Sequence, residues 1–431
     1  MSEKLMATLD GSLDFDTRLK QIIGVSPDLN RIALIIKKGN KFHIVVDENL
    51  SKPYDDISID TFRFSHDSKH FAFAAKINEK WLLIMDGIEQ KIYDGVWNPV
   101  FSPDSKRISY IASENKKQLV VLDATEKQPF DFIGTQSPIF SPNSQRVAYV
   151  AGSKKKLFVF IDDKENGPYD DIGDRTPVFS PDNKRVAFRV IRKKFIGNED
   201  YMVVDDREDN HYDGLSYESV FTPDSQKVVY AACQKKKWFM VTNQQEGKRY
   251  DGISLPYLSP NGKRLAHMGR VGKKEVIVLD GVEGKFYDTC RGLTFSPDSQ
   301  NYAYFAQIGD KYTLVKDGNE DKRYMNLGNI AFSPDSKTMT YSAYTDEKKG
   351  FLVINEEEEK PYELAGKYIT FSADSKHMAY VAMSRQKEMV IIDGLEGQPY
   401  DKVIAPILAT QRGFRYLGYQ YNKVYLVEEK I

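Results

Sequence analysis

Along most of this chain apolar and polar residues alternate with a period of two, rather than the roughly 3.6 of a helix, or form short apolar runs. Residues 146–150, Arg-Val-Ala-Tyr-Val, and residues 275–279, Glu-Val-Ile-Val-Leu, are typical short runs. They are rich in β-branched and aromatic side chains, which suit a pleated, half-buried surface. The pattern therefore predicts an almost entirely β protein with many short strands.

Two kinds of turn sequence separate these strands. Ser-Pro-Asp-Ser suits a type I turn, because proline presets φ and the Asp and Ser side chains bond nearby backbone amides. Asp-Gly supplies the positive φ of a tight hairpin, and it occurs at residues 86–87, 280–281 and 393–394. Together the turns divide the chain into units of four short strands.

The Ser-Pro-Asp-Ser turn defines a repeat, because its first residue returns every 37 to 42 residues. These anchor residues are Ser26, Ser65, Ser102, Ser141, Ser180, Thr222, Ser259, Ser296, Ser333 and Ser372. We name the strands of a unit a to d: strand a ends at Phe-Ser-Pro, and strand d ends in Tyr-Asp-Gly-Ile. The longest interval predicts a longer b–c hairpin through residues 192–200. Four strands in about 38 residues predict a propeller blade, and blades must stack to bury their faces.

The repeat resembles the PD40, or TolB-like, subclass of WD40-type propellers. The likeness lies in F-S-P-D-[SG]-[KR]-x-[VIL]-A-[YF], followed by an apolar strand and an Asp-Gly turn, and it covers nearly the whole chain. The departures are mild: His66 and Ala373 replace proline, and Asn143 and Asn261 replace the acid. The resemblance implies a β-propeller and no particular activity, because propellers serve binding, scaffolding and catalysis alike.

The two ends of the chain complement each other. Residues 9–28 match residues 279–298 in length and at both ends, whereas residues 404–431 supply strands a, b and c and then stop. We therefore predict one propeller of about eleven blades over residues 1–431, closed by pairing of residues 13–17 with residues 423–427. Because typical propellers have about four to eight blades, two rings of five plus six blades, divided near residues 200–215, and an open array remain alternatives.

Composition narrows the functional classes. Hydrophobic residues make up 41% of the 431 residues and charged residues 29%, as in globular proteins. A net charge of -1 argues against a nucleic-acid binder that relies on bulk charge. Cys233 and Cys290 cannot form a disulfide framework or a zinc site. No secretory signal or membrane-spanning stretch is present, so we expect a cytoplasmic protein.

Motifs that carry chemistry are missing from the sequence. It contains no G-x-S-x-G nucleophile elbow, Walker A loop or dinucleotide glycine fingerprint. His66 and His70 flank a turn, and the Asp-rich turns are spaced around the array instead of converging as calcium requires. We therefore predict no catalytic residue, no cofactor and no metal.

An aromatic residue occupies the strand d position of every unit. We expect it to pack between blades, with the Asp that usually follows holding the turn. These aromatics are Phe15, Tyr54, Tyr93, Phe130, Tyr169, Tyr212, Tyr250, Tyr287, Tyr324, Tyr362 and Tyr400. The aromatics Phe195 and Trp238, near the b–c hairpins, are expected to begin strand c.

Lysines concentrate in the b–c hairpins. Because each run has the same place in its blade, a propeller would collect them on one basic face, the candidate interaction face. Its residues are Lys37, Lys38, Lys116, Lys117, Lys154, Lys155, Lys156, Lys193, Lys194, Lys235, Lys236, Lys237, Lys273, Lys274, Lys348 and Lys349. Such a face could dock an acidic protein, a nucleic acid or an anionic membrane. The structural alternative is that lysine flanks turns and blocks edge pairing.

These observations favour a non-catalytic cytoplasmic propeller that acts as a protein-interaction scaffold. One alternative is a ligand-binding or enzymatic propeller with its site in the central channel. The channel would be lined by strand a, whose residues vary most between units, as at 97–100, 255–258 and 326–329. Another alternative is a polyanion binder that uses the basic b–c face.

Overall fold

A computed structural model describes residues 1–346, 349–404 and 406–431. The protein is nearly all β, with 63% of residues in strands and 1% in helix, and it is an eleven-bladed β-propeller of four-stranded antiparallel sheets. This confirms the predicted fold class. Within the described residues, no helix has the length and apolar character needed to cross a bilayer.

The chain contacts define two compact units. The first, here the N-terminal unit, contains residues 9–235 and 242–244, and the second, the C-terminal unit, contains residues 1–8, 236–241 and 245–431. The interpretation of residues 1–431 as one domain stays a prediction.

The chain begins with β1 (Ser2–Thr8) and the short helix α1 (Phe15–Leu19), and six groups of strands follow. The strands, in chain order, are β2 (Ile22–Val25), β3 (Ile32–Lys38), β4 (Lys41–Val46) and β5 (Asn49–Leu50); β6 (Asp56–Phe64), β7 (Phe71–Ile77), β8 (Lys80–Met85) and β9 (Ile88–Tyr93); β10 (Gly95–Phe101), β11 (Ile108–Glu114), β12 (Lys117–Leu122) and β13 (Thr125–Glu126); β14 (Phe132–Ile133), β15 (Ile139–Phe140), β16 (Val147–Ser153), β17 (Lys156–Ile161) and β18 (Lys164–Tyr169); β19 (Asp171–Ile172), β20 (Val178–Phe179), β21 (Val186–Lys193), β22 (Asn198–Val204) and β23 (Arg207–Tyr212); and β24 (Gly214–Phe221), β25 (Val228–Gln234), β26 (Lys237–Thr242) and β27 (Gln245–Glu246).

The remaining strands form five further groups. They are β28 (Gly252–Ile253), β29 (Tyr257–Leu258), β30 (Leu265–Val271), β31 (Lys274–Leu279) and β32 (Val282–Tyr287); β33 (Thr289–Phe295), β34 (Tyr302–Ile308), β35 (Lys311–Lys316) and β36 (Asn319–Tyr324); β37 (Asn326–Phe332), β38 (Met339–Asp346), β39 (Lys349–Ile354) and β40 (Glu357–Glu358); β41 (Leu364–Phe371), β42 (Met378–Ser384), β43 (Lys387–Ile392) and β44 (Leu395–Glu396); and β45 (Lys402–Val403), β46 (Leu408–Thr410), β47 (Gly413–Gln420) and β48 (Lys423–Lys430).

Apolar side chains from neighbouring blades form the core of each unit. Between the second and third blades, for example, Leu83 and Tyr93 pack with Tyr110 and Val121 in one buried cluster. Successive residues of an inner strand enter clusters on opposite faces of the blade, as Tyr110 and Ile111 do. Both faces of such a strand are therefore buried, and it appears in the sequence as a short apolar run. The strand d aromatics from Tyr54 to Tyr400 are buried or half-buried in this way, which confirms their predicted packing role.

Phe15 departs from that pattern. It begins α1 and is 40% exposed, so its assignment to a strand d was wrong. Asp14 explains the local helix, because its carboxylate accepts a hydrogen bond from the backbone N–H of Thr17 at 3.0 Å. A capping carboxylate of this kind starts a helix rather than a strand.

An N-terminal strand pairs with residues 423–427, as predicted, but it is a different strand from the one expected. The strand that pairs with residues 423–427 is β1, which runs antiparallel to β48 from Ser2 opposite Glu428 to Thr8 opposite Lys423. Residues 13–17 do not take that place. Tyr400 donates a hydrogen bond to Glu3 on β1, just as other strand d tyrosines donate to a glutamate of the following blade. The N-terminal strand therefore supplies the missing strand d of the last blade.

Candidate interaction surface at the b–c turns

The anchor residue of each a–b turn has a structural role. Ser141 is fully buried, its hydroxyl donates to Asn143 Oδ1 at 2.8 Å, and it accepts the backbone N–H of Arg146 at 3.0 Å. The same contacts recur at the other anchors, with aspartate in place of Asn143 in most blades. The hydroxyl closes the turn, which explains why serine or threonine returns in every unit.

An arginine next to the turn connects successive blades. Arg146 Nε lies 2.7 Å from Asp162 Oδ2 of its own blade, and its Nη1 donates to the carbonyl of Asn183 in the next blade at 2.9 Å. Its guanidinium lies over the Phe179 ring, 5.2 Å from the centroid. We call this arrangement the arginine clasp. It uses the recurring Asp of the c–d turn, so that residue is structural.

Histidine takes the arginine position in some blades. His70 Nδ1 lies 2.7 Å from Asp86 Oδ2, as Arg146 does from Asp162. Of the two neighbouring histidines, His66 and His70, it is therefore His70 that has a structural contact at the turn. Among the residues that the structure describes, no group of three or more metal-ligating side chains is found.

A second recurring contact holds the b–c turns. The carboxylate of Asp170, which follows the strand d tyrosine, lies 2.5 Å from Lys156 Nζ at the start of β17. Its other oxygen accepts the backbone N–H of Lys193 in the next blade at 3.0 Å. The hydrogen bond from Lys156 lowers the pKa of Asp170. We call this arrangement the lysine clasp, and it confirms that the Asp after the aromatic ties a turn.

The lysine clasp sets successive b–c turns side by side within each unit. In the N-terminal unit it joins Lys41, Lys80, Lys117 and Lys156 to the turn of the following blade through Asp55, Asp94, Asp131 and Asp170. In the C-terminal unit Lys237, Lys274 and Lys387 form it with Asp251, Asp288 and Asp401.

The predicted lysines therefore fall into two groups. Lys117, Lys156, Lys237 and Lys274 belong to lysine clasps, while Lys193 and Lys194 contact Asp171 and Glu199. Lys37 Nζ lies over the Phe42 ring, Lys349 begins β39, and Lys348 lies outside the described residues. The turn lysines have no ion-pair partner within the described part of the chain, and they are Lys116, Lys154, Lys155, Lys235, Lys236 and Lys273. Lys38 is the last residue of β3.

Several turn lysines occupy a backbone conformation that lysine does not favour. The φ values are 63° at Lys116, 51° and 66° at Lys154 and Lys155, and 50° and 62° at Lys235 and Lys236. Type I′ hairpin turns need positive φ at both central residues and prefer Asn and Gly there. Five other b–c turns follow that preference at one central position, with Gly39, Asn78, Asn115, Gly272 and Gly309, whereas the turns with Arg385 and Tyr421 do not follow it there. The turn geometry therefore does not require lysine at these positions.

The fifth blade has the predicted longer b–c hairpin. Its strands β21 and β22 are joined by residues 194–197, and Phe195 and Ile196 at the tip are 105% and 86% exposed. Phe195 was expected to begin strand c, and that prediction was wrong, because the strand starts at Asn198. Trp238 does lie at the start of β26, as predicted.

Polar contacts at the base of this hairpin fix its direction. Glu199 binds Lys194 and lies 3.1 Å from His211 Nδ1, and these hydrogen bonds lower the pKa of Glu199 to about 2. His211 stacks on the Tyr201 ring with centroids 4.4 Å apart. The guanidinium of Arg192 also lies over that ring, 4.9 Å from its centroid. The base of the hairpin is therefore held by contacts among Glu199, His211 and Tyr201.

Strand a residues mainly connect blades. Asn98 has a φ of 52°, and its side-chain amide donates to the Ser137 carbonyl at 2.7 Å. Asn329 repeats this contact with the Gly366 carbonyl at 2.9 Å.

Cys290 on β33 is buried, and burial raises the pKa of its thiol to about 12, which disfavours a nucleophilic thiolate.

Solved structures that are similar to this chain share little sequence with it. No family model and no curated protein matches the sequence. A crystal structure of a eukaryotic initiation factor is 12% identical, with a TM-score of 0.42, over 83% of this chain and 98% of that one. The β-propeller domain of the Trilobed protease from Pyrococcus furiosus is 14% identical, with a TM-score of 0.31, over 62% and 96%. TolB from Acinetobacter baumannii is 14% identical, with a TM-score of 0.26, over 60% and 81%.

The exposed apolar tip was missed from the sequence. Its signal was the 42-residue interval between Ser180 and Thr222, together with two apolar residues between Lys194 and Gly197. The interval predicted the longer hairpin, but a Phe-Ile pair can form either the tip of a hairpin or the start of a strand. Which of the two it forms depends on where the hairpin register places the turn.

Proposed function

We propose that this chain is a non-catalytic, cytoplasmic protein-interaction module of the PD40, or TolB-like, propeller family, and that its b–c turns contact an acidic protein. The observation that carries the proposal is the set of turn lysines at positive φ. They lie where the fold prefers Asn or Gly, and they have no ion-pair partner among the described residues. A residue type that the turn disfavours is best explained by a contact outside the chain.

The electrostatics of the two turn types support the choice of surface. The carboxylates of the lysine clasps pair with the first lysine of strand c, as Asp131 does with Lys117, and Asp213 accepts the backbone N–H of Lys235. Each exposed charge contributes little alone. Several like charges in adjacent turns, however, produce a field that steers an oppositely charged partner to this face.

The non-catalytic part of the proposal rests on how the reactive residue types are used. The recurring serines close a–b turns, the recurring aspartates belong to the two clasps, and the thiol of Cys290 is buried. Rigid blades connected by these contacts offer preformed surfaces. Such surfaces bind with little loss of conformational entropy.

The test begins with the full chain purified from its native host and with identification of the protein that co-purifies. Binding of that protein is then measured for the wild type and for the variant Lys154→Glu, Lys155→Glu, Lys235→Glu and Lys236→Glu. This variant leaves Lys156 and Lys237 in their clasps. We expect at least a tenfold weaker affinity and a loss of salt dependence.

The matched control makes the same change of charge at exposed a–b turn lysines: Lys106→Glu, Lys184→Glu, Lys263→Glu and Lys376→Glu. It should bind as the wild type does. Equal binding by both variants would show that the b–c turns are not the contact. Co-purification of nucleic acid in place of a protein, released by salt, would contradict the protein partner and favour a polyanion binder.

A further inference from the structure

The tip of the fifth-blade hairpin has a chemistry that an electrostatic contact does not explain. Phe195 and Ile196 are more exposed than any other large apolar side chain among the described residues. Gly197, with a φ of +75° and open space around it, provides the turn. The fold gains nothing from apolar residues at this point, and their exposure to water is unfavourable.

The tip is held in position and is convex. The contacts of Lys194 and His211 with Glu199 fix the base of the hairpin, so the two apolar side chains project together from it. A ligand for the tip must provide an apolar environment that surrounds Phe195 and Ile196. It need not have a shape that matches the hairpin.

Cationic side chains flank the tip. Lys193 and Lys194 precede it on the hairpin, where they contact Asp171 and Glu199, so the unpaired charges come from the neighbouring turn. The turn with Lys154 and Lys155 is adjacent to the base, because Asp170 connects Lys156, at the start of the same blade's β17, to the backbone of Lys193. A surface that complements this arrangement is apolar in its interior and negatively charged at its rim.

We propose that residues 195–196 insert at the boundary between headgroups and acyl chains of an anionic phospholipid membrane, with the neighbouring turn lysines on the lipid phosphates. Phe and Ile suit that boundary, and lysine stems can lie along it while their ammonium groups reach the headgroups. The inference goes beyond the protein contact proposed above and does not depend on it.

A membrane fits these observations better than a protein pocket does. A stable protein interface covers roughly 800 Å² of each partner around an apolar core, whereas two side chains on a convex tip provide only a small apolar area. A bilayer needs no matching shape and surrounds a projecting tip from all sides. Its negative surface potential also adds the contribution of every lysine within about 10 Å, the range over which salt screens charge.

The probe is a vesicle of phosphatidylcholine, with or without phosphatidylserine, and the readout is cosedimentation of the full chain. We expect binding only when phosphatidylserine is present, with weakening as salt is raised. The variant Phe195→Ser with Ile196→Ser should bind at least tenfold more weakly. Its folding should be unchanged, which a thermal melt checks, because the tip is almost entirely exposed.

The control removes two other exposed apolar residues, Val282→Ser and Leu395→Ser, which follow Asp-Gly turns and are 71% and 76% exposed. It should bind as the wild type does. Equal binding of wild type to both vesicle types, or of the tip variant and wild type to phosphatidylserine vesicles, would overturn the proposal. So would absence of vesicle binding, and if the tip variant then also lost the co-purified protein, the tip would belong to the protein contact.

Discussion

The a–b turns and the b–c turns use polar residues differently. In an a–b turn the repeated residues contact one another or the next blade, as Ser141 and Arg146 do. In a b–c turn only the clasp residues, such as Lys156 and Asp170, are engaged in this way. The central residues Lys154 and Lys155 have no ion-pair partner within the described chain, and their φ values favour other residue types.

A repeat separates the residues that every blade requires from those that the fold leaves open. A residue that returns unchanged, such as the anchor serine, is required by the geometry of every blade. A position that holds Gly39 in one blade, Asn78 in another and Lys154 in a third is not determined by the fold. Functional information in this chain is therefore concentrated at the positions where equivalent turns differ.

Removal of a whole strand should lower the free energy of unfolding more than any turn substitution does. Deletion of residues 1–8 removes β1, exposes the edge of β48 and leaves the buried Tyr400 without Glu3. We expect a loss on the order of 5 kcal/mol in the free energy of unfolding, with aggregation through the open edge. Denaturant titration and light scattering measure both. A truncated chain as stable and monodisperse as the full one would contradict closure by β1.

The core of the seventh blade should determine stability at moderately acidic pH. His267 is buried against the Tyr250 ring, and burial lowers its pKa to about 4. The unfolded chain, with a histidine pKa of about 6.5, binds more protons below that pH. Stability contributed by the neutral histidine is therefore complete above about pH 6.5 and is lost as the pH falls toward 4, by up to roughly 3 kcal/mol.

Substitution of His267 tests that assignment. Equivalent positions in other blades hold Phe188 and Tyr304. His267→Phe should make the unfolding free energy nearly independent of pH between about 4 and 6.5. The turn aspartates have pKa values below their ordinary range, as at Asp104 and Asp170, so they act only at lower pH. An unchanged acid profile in the variant would assign the loss to other groups.

Substitution of two serines in the fourth blade compares how much the a–b turn and the b–c turn contribute to stability. Ser141→Ala removes the buried acceptor of the Arg146 N–H and should cost about 1–3 kcal/mol. Ser153→Ala, at the b–c end of β16, should change stability by less than about 0.5 kcal/mol. Denaturant titration of both variants measures the difference. Equal losses would mean that the two turns contribute alike to folding.

Much of this architecture could be predicted from the sequence because the repeat is local. The anchor serines, the strand d aromatics and the Asp that follows them each report contacts within one blade or with the next. The start of the chain was harder. Residues 13–17 match the length of a repeat unit, but Asp14 caps a helix there, and β1 is the segment that pairs with β48.

The candidate surface could be predicted only in part, for a related reason. Lysine runs such as 154–156 look uniform in sequence, yet Lys156 belongs to a clasp and Lys154 does not. That division depends on which lysine faces Asp170, a carboxylate 14 residues further along the chain. The exposure of Phe195 likewise depended on hairpin register, which residue type alone does not determine.

A substitution in the b–c turn itself provides the most direct test of the central claim that the turn lysines serve a contact and not the fold. Lys154→Asn with Lys155→Gly gives the turn the sequence that its φ values prefer, and leaves the clasp of Lys156 intact. We predict a gain of about 0.5–1 kcal/mol in the unfolding free energy, together with weaker binding of the co-purified protein. Lower stability with unchanged binding would contradict the account.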